Sequence, residues 1–414
     1  MRFFRTDQSR PDLIHKIRSR PEFLLLLMAG AVPLSFATWQ ALLNNFAIER
    51  AAFSGAEIGI LQSLREVPGF LAFTVVFLLF LLREQRIALV SLILLGVGTA
   101  LTGFFPSVIG LYLTTVLMSI GFHYFETIQT SLSLQWVESE RTAEVLGRII
   151  AVGAFTSIVA FAAIWLAFDV MSLDFVTVYI LGGGITVAIA VAAWLCFPQF
   201  PIRVSQRRQL ILRKRYWLYY ALTFLSGARR QIFIVFAGFL MVEKFGYSVA
   251  AISVLFLVNA ALNMLFAARI GRVIGQVGER TALIFEYIGL VGVFVAYAFV
   301  NNAHLAAGLY IVDHFFFALA IAIKTYFQKI ADPADIASSA GVSFTINHIA
   351  AVVLPAALGV LWLSSPAAVF LVGAGLAGLS LLLSLNIPTH PAQGNEVMLG
   401  RWGVGFRNAV RAGK

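Results

Sequence analysis

The sequence predicts an all-α membrane protein with twelve transmembrane helices in two six-helix pseudo-symmetric bundles, with both termini in the cytoplasm. Three observations predict this fold class. The 414 residues are 60% hydrophobic and only 12% charged, whereas an average soluble domain is about 25% charged and under half apolar. The apolar residues form long segments, and the basic residues collect between alternate segments. So much apolar surface requires lipid around it.

This composition excludes a disordered chain, a nucleic-acid-binding module and a typical soluble enzyme. The formal net charge is +10. In a membrane protein the basic residues collect on the cytoplasmic side, so their distribution along the chain indicates its orientation. A single cysteine, Cys196, excludes an intramolecular disulfide and a multi-cysteine metal site.

Twelve segments are long and apolar enough to cross about 30 Å of hydrocarbon, which takes about 20 residues of helix. They emerge when the chain is cut at charged, proline-containing and asparagine-rich breaks. A β-barrel is excluded because its strands are about ten residues long and alternate in polarity. The predicted spans are 22–47, 57–82, 87–105, 108–133, 145–168, 174–197, 216–242, 248–269, 281–300, 304–328, 339–363 and 366–386.

The positive charges test this count. The predicted inner segments are the two tails and the loops near 83–86, 134–148, 198–215, 269–280 and 329–338. They hold 25 of the 30 Lys and Arg residues, with Lys324 counted at the inner end of the tenth span. The outer loops hold only Arg50 and Lys244. This asymmetry favours an even number of spans with both ends inside.

The segments group into five regions. We expect a cytoplasmic N-terminal tail (1–21), an N-terminal six-helix bundle (22–197), a basic cytoplasmic linker (198–215), a C-terminal six-helix bundle (216–387) and a cytoplasmic C-terminal tail (388–414). The first apolar run continues without a clear A-x-A cleavage site, so we expect it to remain as the first span. The halves show weak similarity at an offset near 194, as a duplicated transporter would.

One motif sharpens this interpretation. Gly271, Gly275, Gly278 and Arg280 stand between the eighth and ninth spans. This segment resembles the inner-loop signature of the major facilitator superfamily, G-x-x-x-D-x-x-G-x-R, with Gly275 in place of the Asp. Small residues allow a tight inner turn, and an Arg can bond helix C-terminal carbonyls. In the corresponding loop of the first half, only Arg86 matches.

The resemblance extends over about residues 20–388 and implies two bundles that give alternating access to a midplane site. It also implies that the first, fourth, seventh and tenth spans line the central cavity. Drug–proton antiporters of the superfamily usually carry a G-P dipeptide in the fifth span. This sequence lacks that proline, which lowers the expectation of multidrug transport.

Ionisable residues within spans are functional candidates because they are costly in hydrocarbon. Arg229, Arg230 and Gln231 lie in the seventh span, about 20 Å from its inner start. Adjacent arginines point about 100° apart on a helix. We expect one to bind an anionic group of the substrate and the other to pair with a buried acid, although both could be structural neutralising groups. The candidate acids are Glu66, Glu126 and Asp313.

Other predicted cavity helices add polar groups. Further substrate-binding candidates are Gln40, Asn44, His123, Asp313 and His314. Glu126, Asp313 and Glu66 are candidates for proton coupling, because burial and a nearby arginine act in opposite directions on a carboxyl group. His123 precedes Glu126 by three residues and is either a proton relay or a structural histidine.

Two polar pairs could act as a gate. Arg65 and Glu66 precede Pro68 in the second span and form either a charge lock or a static ion pair. Asn347 and His348 in the eleventh span form either a gate or a packing pair.

Several functions are excluded by missing motifs. The chain has no phosphate-binding loop, no H-E-x-x-H and no Gly-x-Ser-x-Gly. We therefore expect no enzyme activity, no metal site and no cofactor.

The resulting prediction is a secondary active transporter of the inner (plasma) membrane that moves a small organic anion or zwitterion, coupled to protons or alternatively sodium. Efflux of amphipathic drugs or metabolites is a second interpretation, and a non-transporting receptor or assembly protein a third. The expected partners are a small-molecule substrate, protons and the lipid bilayer, without nucleic acid, and the expected state is a monomer.

Overall fold

A computed structural model of the chain describes residues 20–137, 139–201, 212–332 and 336–398. Long helices dominate them. The principal helices are α1 (Pro21–Ala51), α2 (Gly55–Phe70), α3 (Glu84–Thr102), α4 (Val108–Trp136), α5 (Ser139–Trp165), α6 (Phe175–Cys196), α7 (Trp217–Ile232), α8 (Val249–Val277), α9 (Glu279–Phe299), α10 (Ala303–Ala318), α11 (Ile336–Ser364) and α12 (Pro366–Ser384).

Shorter helical segments extend some of these helices. A helix over Ile321–Ile330 continues α10 after a two-residue turn, and wide π-type turns over Phe233–Ala237 join α7 to a short helix, Gly238–Glu243. In the described part of the chain, eleven helical stretches are long and apolar enough to cross a membrane. The prediction of an all-α, multi-pass membrane protein is thereby confirmed, whereas the count of twelve spans remains a prediction.

The second predicted span, 57–82, differs from the structure. Helix α2 ends at Phe70, and a separate single turn, Val75–Leu78, follows. Pro68 has no backbone N–H, and its ring disfavours the straight continuation of a helix. Gly69 weakens the same turn further. The break therefore lies where the sequence carries its two strongest helix-weakening residues.

The turn of the glycine motif is shorter than predicted. The inner loop was predicted near 269–280, but α8 continues to Val277 and α9 begins at Glu279. Gly271 and Gly275 consequently lie within α8. Gly278 alone makes the turn, with φ of 81°, a backbone conformation that glycine adopts at little cost.

The helices pack into two compact units. The first unit contains α1, α3–α6 and the first residues of α8, Val249–Val254. Within it, Ser35 on α1 donates to the hydroxyl of Thr186 on α6 over 2.8 Å. The Thr186 hydroxyl in turn donates to the carbonyl of Ala31 over 3.0 Å. These bonds join the two helices in the apolar interior of the unit.

The second unit contains α2, α7, the rest of α8 and α9–α12. Its packing places α2 beside α11, although a division by sequence halves groups α2 with the N-terminal bundle. A Cβ on Gly59 would lie 2.2 Å from the carbonyl oxygen of Pro355, so glycine is required for this close approach. Ser63 accepts a hydrogen bond of 2.9 Å from the backbone N–H of Ala356, immediately after Pro355.

The predicted inner ends of both units contain equivalent contacts. In the first unit, Gln135 near the end of α4 donates to Glu84 at the start of α3 over 3.0 Å. In the second, Lys329 near the end of the α10 extension pairs with Glu279 at the start of α9 over 2.7 Å. The paired positions are separated by 194 and 195 residues, which agrees with the offset expected for a duplication.

The chain that leaves the last helix of each half folds back onto the same end. Gln85 on α3 donates to the carbonyl of Pro198 and accepts from the N–H of Phe200, at 2.9 and 3.0 Å. In the second unit, Gln393 donates to the carbonyl of Ala331 over 2.9 Å. Each unit thus anchors its own trailing segment.

Candidate functional site

Helix α7 positions the arginine pair. From Trp217 to Arg230 the helix rises about 20 Å, which places both guanidinium groups far from the inner end of the span. The π-type turns begin at Phe233, two residues after Gln231. Such turns are common near functional sites, because they change which residues face a neighbouring helix.

Arg229 lies in a sealed environment within the second unit. Its guanidinium lies 3.5 Å from the carboxylate of Glu286 on α9, and both side chains are 0% exposed. It also stacks over the ring of Tyr287, 4.4 Å from the ring centroid. Arginine suits this position because its charge is delocalised and weakly hydrated.

Asp313 on α10 completes what we call the charge cluster, namely Arg229, Glu286 and Asp313. The Asp313 side chain is fully buried, and it interacts electrostatically with both other members. Neither of its carboxylate oxygens has a hydrogen-bond partner among the described residues. The cluster therefore places two carboxyl groups around one guanidinium, in a region closed to solvent.

Arg230 has a different environment. Its side chain is exposed, as is that of His314 on α10. His314 lies within electrostatic range of Arg230. Its ring is tilted by 42° relative to that of Tyr310, with the centroids 4.9 Å apart, and its Nδ1 lies 3.1 Å from the Tyr310 carbonyl. The structure thus separates the two arginines that the sequence places side by side.

Gln231 is buried, and its Oε1 has no hydrogen-bond partner in the described part of the chain. In the first unit, Gln40 and Asn44 are both half-buried on α1. Asn44 Oδ1 likewise lacks a hydrogen-bond partner among the described groups. Within its own unit, each of these amide groups could hydrogen-bond a polar group.

His123 and Glu126 lie on α4, also in the first unit. His123 is buried, with its ring 5.1 Å from that of Phe122, whereas Glu126 is exposed. Their spacing places them on one side of the helix. Neither belongs to the charge cluster.

The predicted gating residues lie together in the second unit. Arg65 Nε donates to Glu66 over 3.0 Å, and the other carboxylate oxygen of Glu66 lies 3.6 Å from Nε2 of His348 on α11. Asn347 is half-buried, and its side-chain oxygen packs against Gly227 on α7. Glu66 is therefore occupied by Arg65 and His348.

Sequence reasoning missed Glu286. The family resemblance assigns the cavity to the first, fourth, seventh and tenth spans, and Glu286 lies on α9, the ninth. It stands five residues after the start of that predicted span. An acid at that depth is costly in hydrocarbon, and this cost is the signal that could have found it.

In the glycine motif, Arg280 at the start of α9 donates from Nη1 to the sulfur of Met398, over 3.5 Å. Glu279 beside it is buried and pairs with Lys329. The motif thus contacts the trailing segment of its own unit.

Comparison with solved structures shows the fold. The chain is similar to a point mutant of the nucleoside transporter NupG, with a TM-score of 0.74, 16% identity, and coverage of 88% of this chain and 99% of that one. It is also similar to a bacterial homologue of the human lysosomal transporter Spinster in an inward-facing and occupied conformation. There the TM-score is 0.68, the identity 13%, and the coverage 92% and 97%.

No curated protein matches the sequence. The family model of the Major Facilitator Superfamily, in contrast, matches residues 23–355, which is most of the chain. This match shows that the chain belongs to the major facilitator superfamily.

Proposed function

We propose that the chain is a secondary active transporter that moves a small organic anion or zwitterion across the inner membrane by alternating access, coupled to protons. The observation that carries this proposal is the division between two adjacent arginines. Arg229 is buried against Glu286, whereas Arg230 is exposed at the same depth of the span.

Arg230 is the proposed anion contact. A guanidinium about 20 Å along a membrane-spanning helix cannot be left in hydrocarbon at low cost, and its side chain is too short to reach either interface from that depth. An exposed Arg230 is therefore best accommodated at a polar, water-accessible surface. The planar guanidinium can hold a carboxylate or phosphate with two parallel hydrogen bonds.

The charge cluster supports proton coupling. With both carboxyls ionised, the cluster has a net charge of −1, and burial of an uncompensated charge is strongly unfavourable. One bound proton makes the cluster neutral. The same group of residues can therefore exist in two protonation states, a neutral one that is stable when buried and a charged one that requires hydration. A proton-coupling site needs two such states.

The remaining predicted residues keep subsidiary roles in this proposal. Gln40, Asn44 and Gln231 supply amides for polar groups of the substrate. Glu126, with His123 as its neighbour, is a second candidate for proton exchange. The contacts of Glu66 with Arg65 and His348 support its role in a gate rather than in coupling.

The proposed topology has twelve spans with both termini in the cytoplasm. The charge asymmetry of the predicted loops supports it. Helix α2, with the short helix Val75–Leu78, would form the second span. Labelling of single cysteines introduced near Arg50 and Lys244 from outside intact cells tests this orientation.

A thermal-shift screen of the purified chain against organic anions, zwitterions and cationic amphipathic compounds tests the substrate class. A ligand raises the apparent stability by RT ln(1 + [L]/Kd). Arg230→Gln should weaken anion binding by about 2 kcal/mol or more, roughly 30-fold in Kd. Arg269→Gln, at an exposed arginine of α8, is the matched control and should bind anions like the wild type.

Uptake into proteoliposomes then tests transport. An imposed pH gradient should drive accumulation of the anions that bind. If cationic compounds bind Arg230→Gln as well as or better than wild type and no anion binds either protein, the anion proposal is wrong. If ligands bind but no compound crosses the bilayer, the chain is a receptor rather than a transporter.

A further inference from the structure

The two acids of the charge cluster are not equivalent. Glu286 lies 3.5 Å from Arg229, within the range of an ion pair. Asp313 forms no ion pair among the described residues, although its side chain is fully buried. The carboxylate oxygens of both acids accept no hydrogen bond there, so the ion pair with Arg229 is what distinguishes them. One acid therefore has a direct counter-ion, and the other has only a more distant electrostatic partner.

The groups around Asp313 provide no second cation among the described residues. Arg229 on α7 interacts with it electrostatically, as do Glu286 and Tyr297 on α9. Tyr310, one turn earlier on α10, is also buried.

Phenol side chains are uncharged near neutral pH. The basic residues that follow Arg229 and Asp313 in the chain, Arg230 and His314, are exposed rather than part of the cluster. A single positive charge, already paired with Glu286, is thus all that is available in the described part of the chain to balance Asp313.

From this geometry we infer that Asp313 carries the exchangeable proton of the charge cluster, and that Glu286 is the permanent counter-ion of Arg229. The cluster then holds one proton in its closed, neutral form. The inference rests on the proposed function for its physiological meaning, but the protonation of Asp313 can be tested without any substrate.

Proton release follows the same charge count. When the proton leaves the Asp313 carboxyl for water, the cluster acquires a net charge of −1. An unpaired buried carboxylate is costly, so release requires a conformation in which water reaches Asp313. The Arg229 guanidinium also lies over the ring of Tyr287, the residue next to Glu286 on α9, 4.4 Å from the ring centroid.

Paired amide substitutions provide the first test, with thermal unfolding of the purified full-length chain at neutral pH as the measurement. Asp313→Asn replaces a neutral carboxylic acid with a neutral amide and should leave the midpoint close to that of wild type. Glu286→Gln removes the direct counter-ion of Arg229 and should lower the midpoint substantially. Equal or greater loss in Asp313→Asn would show that Asp313 is ionised in the folded protein, and would overturn the inference.

Infrared spectroscopy of the same protein provides the second test. At neutral pH the wild type should show the carbonyl band of a buried protonated carboxylic acid. The conservative Asp313→Glu variant should shift this band, whereas Glu286→Asp should leave it in place. Glu243→Asp, at an exposed acid that accepts a hydrogen bond from Trp362, is the control and should also leave it unchanged.

Each other outcome contradicts the inference. Absence of the band in wild type, or a shift with Glu286→Asp but not with Asp313→Glu, would overturn it. If the Asp313→Glu variant does not fold, the Asp313→Asn variant is measured instead, and the inference predicts that the carbonyl band is lost in it. Failure of a pH gradient to drive uptake of any screened anion would overturn the proposed coupling alone, because neither the infrared band nor the unfolding midpoint depends on transport.

Discussion

Lys329 and Glu279 form an ion pair of 2.7 Å in the second unit, at the position that Gln135 and Glu84 occupy in the first. Glu279 is almost fully buried, whereas half of the Lys329 side chain is exposed. One half of the chain therefore uses a charge and the other an amide to satisfy a carboxylate at the same place in the repeat.

Lys329→Met should destabilise the chain by about 1–2 kcal/mol, because it leaves the buried Glu279 carboxylate without its donor. Lys329→Gln should recover much of this loss, since glutamine serves the same purpose at Gln135. Thermal unfolding of the two variants measures the difference, with Lys324→Met at an exposed lysine as the control. Equal losses in the Met and Gln variants would contradict the proposed equivalence.

Arg229→Gln should destabilise the chain by about 3 kcal/mol or more, because it leaves Glu286 buried without its counter-ion. The double variant Arg229→Gln/Glu286→Gln should be more stable than Arg229→Gln alone, since no uncompensated charge remains. A double-mutant cycle on thermal stability gives the coupling energy. Strict additivity of the two changes would show that the 3.5 Å contact does not matter.

Ser63→Ala should lower the free energy of unfolding by about 1–2 kcal/mol, because the Ala356 N–H next to Pro355 would lose its acceptor. Ser364→Ala is the control, since that exposed hydroxyl bonds only to Leu361 in its own helix. Both variants can be compared by thermal unfolding. A loss no larger than that of the control would mean that water satisfies the N–H equally well.

Gly59→Ala should destabilise the α2–α11 contact by about 1–3 kcal/mol, because the new methyl group would meet the backbone oxygen of Pro355. Gly292→Ala on α9 is the matched control, because a Cβ there meets nothing within 4 Å. Alanine favours helix over glycine at such a site, so the control should be neutral or slightly stabilising. The unfolding midpoints should therefore move in different directions.

Asp174 gives an expected pH dependence just before the apolar helical stretch Phe175–Cys196, one residue outside it although the predicted span began at 174. It caps the start of α6, where hydrogen bonds from the side chain and backbone of Thr177 hold its pKa below the ordinary value of 3.8. Because the pKa is lowered in the folded protein, the ionised carboxylate stabilises the fold at any pH above the ordinary pKa of the side chain. This stabilisation is lost as the pH falls through the lowered pKa of the folded state.

The difference in unfolding midpoint between wild type and Asp174→Ala should accordingly be present at neutral pH and shrink in acid. Asp174→Asn retains a capping side chain without a titrating group, so its midpoint relative to Asp174→Ala should stay nearly constant with pH. A wild-type difference that is independent of pH would rule out the carboxylate as its source.

Most of the helical architecture could be predicted from the sequence, because the length of an apolar run and the charges that bound it report directly on a membrane span. The family match confirms the predicted superfamily and its transporter class over an enzyme. The break after α2 was harder to predict, because Pro68 can either kink a span or end it. Only packing decides between these outcomes.

The site was predicted less completely, for a physical reason. Spacing shows which residues share a face of one helix, but the rotation of that helix about its axis depends on its neighbours. Arg229 and Arg230 therefore could not be assigned to the two predicted roles until their burial was known. Pairing between Glu66 and His348, which are 282 positions apart, is likewise invisible to local periodicity.

The anchoring of Pro198 and Phe200 by Gln85, and of Gln393 by Ala331, has a practical consequence. Each set of bonds closes within its own unit, and neither uses residues between 201 and 212. A polypeptide severed in that interval would keep both anchorages. Two co-expressed fragments should therefore complement one another. An intact peptide bond in that interval would not be needed for either trailing segment to pack on its own unit.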